Sequence, residues 1–86
     1  MNIENIYTAV EEDEMNSPLI TICGELVKQG YDVKVEGVEF INDENCINLF
    51  CDLECATSEI NFELTRNNEQ ESFKLVFTDY HKFELR

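Results

Sequence analysis

Apolar residues in the first third of the chain recur three or four positions apart, which is the spacing of one helix face. The pattern predicts two helices, over residues 3–12 and 18–29. The second has recognisable ends. Ser17 is a typical N-cap residue, Pro18 fits the first helical position, and Gly30 suits the residue that follows a helix.

From residue 31 onward, apolar and polar residues alternate, as is typical of β-strands with one buried face. Four strands are predicted, over residues 31–41, 46–55, 59–65 and 72–78. In the first strand the apolar parity switches at Gly37, which predicts a bulge or a sharp bend. Residues 79–86 fit a last strand or a helical turn equally well.

The polar connections between the predicted strands are short, which favours an antiparallel meander. Two helices covering one face of such a sheet make a two-layer α+β domain. We therefore predict two N-terminal helices packed on a four-stranded antiparallel β-meander whose other face contacts water. The 86 residues fit a single domain, residues 1–86.

Charge changes this picture more than any motif does, because the chain has 19 acidic and 6 basic residues and a net charge of -13. Apolar residues make up 43% of the sequence, which favours a folded chain over an acidic disordered one. Direct binding to nucleic acid is disfavoured, since neutralising phosphates requires a basic patch. No apolar run approaches the roughly 20 residues of a membrane span, and no signal sequence is visible, so we expect a cytoplasmic protein without a membrane partner.

The acidic residues alternate with apolar ones within the predicted strands, so one sheet face is expected to display carboxylates in a regular grid. Such a grid repeats on roughly the scale of a phosphate backbone, about 5–7 Å. The alternative is a solvated face that is acidic only for solubility. The exposed aromatic Phe50 favours an interface, as aromatic residues anchor protein contacts. The candidate partner-binding residues are Asp32, Glu36, Phe50, Asp52, Glu54, Glu59 and Glu63.

Further candidates for an apolar anchor are Tyr31, Tyr80 and Phe83. An acidic surface with an apolar anchor is suited to a basic protein partner, because affinity needs more than charge.

The four cysteines are expected to be reduced, with Cys51 and Cys55 facing the core and Cys23 in an apolar helix. Zinc or a disulfide framework is the alternative, but the spacing of Cys46, Cys51 and Cys55 matches no common zinc motif. No cofactor is predicted. His81 has no identifiable nucleophile partner, and carboxylate pairs are too abundant to mark a catalytic site. An acid–base or metal-dependent enzyme therefore ranks third, below the two binding functions given at the end of this section.

The opening Met1-Asn2-Ile3 is followed by a predicted helix that ends before Tyr31-Asp32-Val33-Lys34-Val35-Glu36-Gly37, and then by acidic strands. On these segments, about half of the chain, rests a resemblance to small phage anti-CRISPR proteins, which are acidic inhibitors of RNA-guided nucleases. It implies a folded acidic protein that occupies the DNA-reading site of a nuclease.

The leading functional hypothesis is thus a non-enzymatic inhibitor that mimics nucleic-acid charge and blocks the basic site of a nucleic-acid-binding enzyme. The alternative is a cytosolic immunity or assembly module whose protein partner is recognised without such mimicry.

Overall fold

The computed structural model describes residues 1–13, 15–79 and 82–86. This part of the chain folds into helices and strands in the order α1 (Ile3–Glu12), α2 (Pro18–Lys28), β1 (Asp32–Val35), β2 (Val38–Glu39), α3 (Glu44–Ala56), β3 (Glu59–Arg66), β4 (Glu69–Asp79) and β5 (Lys82–Leu85). The predicted α+β class is confirmed. The four-stranded meander and the pair of helices are not, because the described residues form one more helix and one more strand than predicted.

The first helix has the predicted bounds, and the second begins at the predicted Pro18 and ends one residue before the predicted end. The Asn2 side chain accepts a hydrogen bond from the Asn5 amide at 3.1 Å, and Ser17 Oγ accepts one from the Ile20 amide at 3.3 Å. At the end of α2, Gly30 has φ +93 and donates to the Val27 carbonyl, while the Tyr31 amide donates to the Leu26 carbonyl. These two bonds form a Schellman motif, which is why a glycine follows this helix.

The predicted strand over residues 31–41 is a hairpin. Glu36 and Gly37 have φ of 50 and 79, the left-handed values that a two-residue turn between antiparallel strands requires. The turn pairs Val35 with Val38 and Lys34 with Glu39. Of the two predicted alternatives at Gly37, the parity switch therefore marks the sharp bend and not a bulge, and this bend reverses the chain completely.

The predicted strand over residues 46–55 is wrong, because this segment is the central part of α3. The Asp43 side chain caps the helix by accepting a hydrogen bond from the Cys46 amide at 2.8 Å, and Glu44 places a negative charge in the first turn. Cys46 and Phe50 share the buried side of the helix, with Leu53 partly buried beside them. That spacing belongs to a helix and not to a strand.

The strands form one antiparallel sheet in the order β2-β1-β3-β4-β5. β1 and β3 are neighbours although α3 lies between them in the chain, so the sheet is not a simple meander. β3 and β4 are joined by a tight turn at Asn67 and Asn68, both with positive φ. Of the two alternatives predicted for residues 79–86, the described residues Lys82–Leu85 form the last strand, while residues 80 and 81 lie outside the described part of the chain.

The core lies between the helices and one face of the sheet. Ile6 of α1, Ile22 of α2 and Phe50 of α3 are all buried against it. The strands contribute the alternating buried residues Val33, Val35, Ile60, Phe62, Leu64 and Leu75. The Phe62 and Phe73 rings stack across β3 and β4 with centroids 4.6 Å apart. The hydrophobic core therefore lies on one side of the sheet. The opposite face is mainly polar, although Val76 of β4 is a buried apolar residue on it.

No helix in the described ranges is long and apolar enough to cross a membrane.

Candidate functional site

The candidate site is the open face of the sheet, on the side away from the helices. Strand alternation places Asp32, Glu59 and Glu63 on it, all exposed, as the sequence predicts. Cross-strand pairing adds two acids that the prediction did not include. Glu39 lies opposite Lys34 in β2, and Glu84 lies opposite Val76 in β5. The prediction missed these two acids because it did not identify β2 and β5 as separate strands.

Glu36 also borders the open face, but it has a structural role. Its carboxylate accepts hydrogen bonds from the Asn61 amide at 2.8 Å and from the Asn61 side chain at 3.2 Å. The Glu36 amide in turn donates to the Asn61 carbonyl. These bonds fix the end of the β1–β3 ladder beside the hairpin turn.

Three predicted site residues do not belong to this face, because they lie on α3 in the opposite layer. Phe50 is a core residue with 1% of its surface exposed, so it is unavailable as a surface anchor. Asp52 is exposed on the helix. Glu54 is half-buried, and its carboxylate accepts a hydrogen bond from the Leu19 amide at 3.3 Å. That contact places a negative charge at the N-terminus of α2, where it interacts favourably with the helix dipole and stabilises the helix.

Basic residues interrupt the carboxylates on the open face. Lys34 lies between Glu39 and Glu63 on the two neighbouring strands. Lys74 forms an ion pair with Glu59 at 3.8 Å, and Arg86 forms one with Glu84 at 2.7 Å. Both pairs are about half exposed, so each contributes little to stability. The grid is therefore mixed in sign, with acids in excess.

A shallow depression of about 540 Å³ lies within this face. Its walls include Glu36, Glu63, Lys74 and Arg86, together with the polar residues Asn61 and Ser72. Both signs of charge meet there, which suits recognition of another charged protein surface better than binding of a single ion.

The helical layer is more uniformly acidic than the sheet. Lys28 is the only basic residue in the three helices that the structure describes. Acidic residues in or beside the same helices are Glu4, Glu11, Glu12, Asp13, Glu25, Asp43, Glu44, Asp52 and Glu54. The acidity thus covers both outer surfaces, whereas the sequence prediction concentrated it on the sheet.

The candidate apolar anchors are also redistributed. Tyr31 and Phe83 are buried, with the Arg66 guanidinium 4.3 Å above the Tyr31 ring and the Tyr7 ring stacked on Phe83 at 4.8 Å. Tyr80, like His81, lies outside the described residues. Large apolar side chains that are exposed belong mainly to the helical layer and the loops beside it, including Tyr7, Met15, Val27, Ile41 and Leu49.

The four cysteines are free thiols, but their orientation differs from the prediction. Cys55 is exposed and Cys51 is half-buried, so the core-facing assignment of this pair is wrong. Cys46 is buried instead, and its sulfur accepts a hydrogen bond from the Ile41 amide at 3.3 Å. Cys23 is buried in α2, and burial raises the pKa of its thiol well above the usual range. Among the described residues, no three metal-ligating side chains form a cluster.

Comparisons with known protein families, with curated proteins and with solved structures found no match to this chain.

Proposed function

We propose that this protein is a non-enzymatic inhibitor that binds a basic protein partner and blocks its nucleic-acid-binding site by charge mimicry. The observation that carries the proposal is the acid excess on rigid, folded outer surfaces in a chain of net charge -13. This charge exceeds the magnitude of about 2–8 that suffices to keep a small domain in solution. A phage-defence nuclease of the CRISPR type is the class of partner that the sequence resemblance favours.

The open face of the sheet is the surface that we assign to this role. Same-face positions two residues apart on a strand are about 6.6–7 Å apart, and neighbouring strands are separated by about 4.8 Å. Glu59 and Glu63 lie four residues apart on β3, so their carboxylates repeat at about twice the same-strand spacing. The hydrogen-bonded sheet holds these positions without the entropy cost of ordering a flexible chain. The face also carries the basic residues Lys34, Lys74 and Arg86. A partner must present acidic groups to these residues, which supports specificity.

A competition experiment tests the proposal. The protein is immobilised, nuclease-treated lysate is passed over it at low salt, and bound proteins are eluted with duplex DNA or RNA at constant ionic strength. Mimicry predicts that nucleic acid releases the partner, because both ligands occupy one site. Formation of a ternary complex of partner, inhibitor and nucleic acid would contradict the mimicry.

Charge-neutralised variants locate the surface. We expect the sheet-face triple Asp32→Asn/Glu59→Gln/Glu63→Gln to weaken binding about tenfold, from three contacts of about 0.5 kcal/mol each. The matched triple Glu11→Gln/Asp52→Asn/Glu69→Gln removes the same charge from exposed positions elsewhere. Equal losses in the two triples would mean that only net charge matters, and the sheet-face assignment would fail.

The second candidate function is an immunity or assembly module that binds its protein partner without nucleic-acid mimicry. The exposed apolar side chains of the helical layer favour it, because apolar contacts carry most of the affinity in protein interfaces. If this second function is correct, competing nucleic acid should not elute the partner.

A further inference from the structure

A groove on the helical layer, away from the open sheet face, is not used by the proposed inhibitory surface. It has a volume of about 540 Å³ and follows α2 between the C-terminal end of α1 and the loop between β2 and α3. Its apolar surface comes from Ala9 of α1, from Ile20 and Val27 of α2, and from Phe40 after β2. Val27 is 48% exposed, although it is an aliphatic residue on a well-formed helix.

Gly24 lies on α2 within this groove, in the interior of the helix. A glycine there costs about 0.8–1 kcal/mol relative to alanine. No packing within the molecule explains it, because a Cβ built at this position meets no atom within 4 Å. A glycine on a helix surface allows the backbone of another segment to approach closely, because no side chain stands between them.

The rim of the groove is acidic. Glu12 and Asp13 lie on the α1 side and Glu25 lies on α2, with Lys28 as the single basic residue among those that line it. Asp13 is held in place, because its carboxylate accepts hydrogen bonds from the Asn16 side chain at 2.8 Å and from the Thr21 hydroxyl at 3.3 Å. The hydrogen bond from the Asn16 side chain lowers the pKa of Asp13, which keeps the rim charged.

We propose that this groove binds a basic amphipathic helix of a partner protein. The apolar side of that helix would cross Gly24 and contact Ile20, Val27 and Phe40, and its lysines or arginines would face Glu12, Asp13 and Glu25. An amphipathic helix laid in an apolar groove is a common mode of recognition. A second copy of this chain is a poorer occupant, because two molecules of net charge -13 repel each other. The proposal is independent of nucleic-acid mimicry at the sheet face.

The test uses the intact, isotope-labelled protein and a synthetic helix of about 14 Leu and Lys residues, about 21 Å long. Leucines and lysines are placed on opposite sides of this peptide, and a peptide of the same composition in scrambled order is the control. We expect saturable 1:1 binding, with amide signals of Ala9, Gly24 and Val27 among the most shifted. The scrambled peptide should bind at least about tenfold more weakly, since it lacks an apolar side.

Substitutions separate the groove from general charge attraction. Gly24→Leu places a side chain in the groove at a position where an added Cβ meets no atom within 4 Å, and we expect it to weaken binding about tenfold. Ser72→Leu adds the same side chain to an exposed position on the open sheet face and should change affinity less than about twofold. Glu12→Gln/Glu25→Gln should slow association and flatten the salt dependence, whereas Glu44→Gln/Asp52→Asn on α3 should do so less.

Three results would overturn the proposal. They are shifts that map to the sheet face, equal binding of the scrambled peptide, and binding that survives Gly24→Leu. Concentration-dependent shifts of the same groove signals without peptide would identify a second copy as the occupant and would also overturn it. The sheet-face triple Asp32→Asn/Glu59→Gln/Glu63→Gln leaves the groove residues unchanged. Peptide binding therefore tests the groove proposal, and binding of the triple to the partner tests the inhibitory surface, so that either proposal can fail without the other.

Discussion

Replacing Phe50 by alanine should be one of the most destabilising single changes in this protein. The side chain is 1% exposed, and its ring lies 5.7 Å from the ring of Phe40, centroid to centroid. Removing a buried phenylalanine loses about 1.5–3 kcal/mol of transfer free energy, and the cavity left behind raises the loss to about 3–5 kcal/mol. A chain of 86 residues has a total unfolding free energy of roughly 4–13 kcal/mol. The change therefore removes a large share of the stability.

Urea denaturation followed by circular dichroism measures this loss. With an m-value of about 1–2 kcal/mol/M, the midpoint should fall by about 1.5 M or more. Phe50→Leu keeps an apolar side chain of similar volume and should cost about 1–1.5 kcal/mol, which provides a folded variant if the alanine variant is too unstable to study.

Leu49→Ala is the matched control, because Leu49 is the preceding residue of the same helix and is 50% exposed. We expect it to cost about 1 kcal/mol or less. The alternating strand pattern makes the opposite prediction, since it buries Leu49 and exposes Phe50. A larger loss for Leu49→Ala than for Phe50→Ala would refute α3 and the core built on it.

Two further predictions follow from the described backbone and thiols. Gly24→Ala should raise the melting temperature by about 2–8 °C in a thermal scan, because alanine gains about 0.5–1 kcal/mol in an open helix position. Gly30→Ala, at φ +93, should lower it by a similar amount, and a rise in both variants would contradict the assigned backbone. Alkylation of the native protein, followed by mass spectrometry, should modify Cys55 first, whereas buried Cys23 should react only on unfolding. Modification of Cys23 before Cys55 would show that α2 is not packed as described.

Most of the elements could be predicted from the sequence wherever one periodicity dominated. The helix over residues 18–29 had both a spacing and its own end signals, and the structure ends it within one residue of the prediction. The strands over residues 59–65 and 72–78 had strict alternation, and both lie within longer observed strands. In these segments the local pattern and the tertiary packing agree, so local reasoning was sufficient.

The segment over residues 46–55 failed because it satisfies two periods at once. Ile47, Leu49 and Leu53 alternate as a strand requires, while Cys46 and Phe50 repeat as a helix requires. The ambiguity could have been reduced by the ends of the segment. Asp43 followed by Glu44 is an N-cap followed by an acidic first turn, and Ile47 is the only β-branched residue within residues 46–55.

The error in one helix explains why the candidate site was only partly predictable. Residues on the flanking strands keep their assigned face whatever lies between them, so Asp32, Glu59 and Glu63 share the open face as expected. Asp52 and Glu54 move to the opposite layer with α3, and the open face gains Glu39 and Glu84 from strands that periodicity did not separate.

The acidic surface is consequently two-sided, which bears on how a partner can be engaged. The open sheet face carries acids interrupted by Lys34, Lys74 and Arg86 but has no large exposed apolar residue described on it. The helical layer combines a more uniform acidity with exposed Val27 and the groove over Gly24. Since charge accelerates encounter while buried apolar contacts sustain the complex, the two surfaces should differ kinetically. Neutralising the sheet face should mainly lower the association rate, whereas filling the groove should mainly raise the dissociation rate.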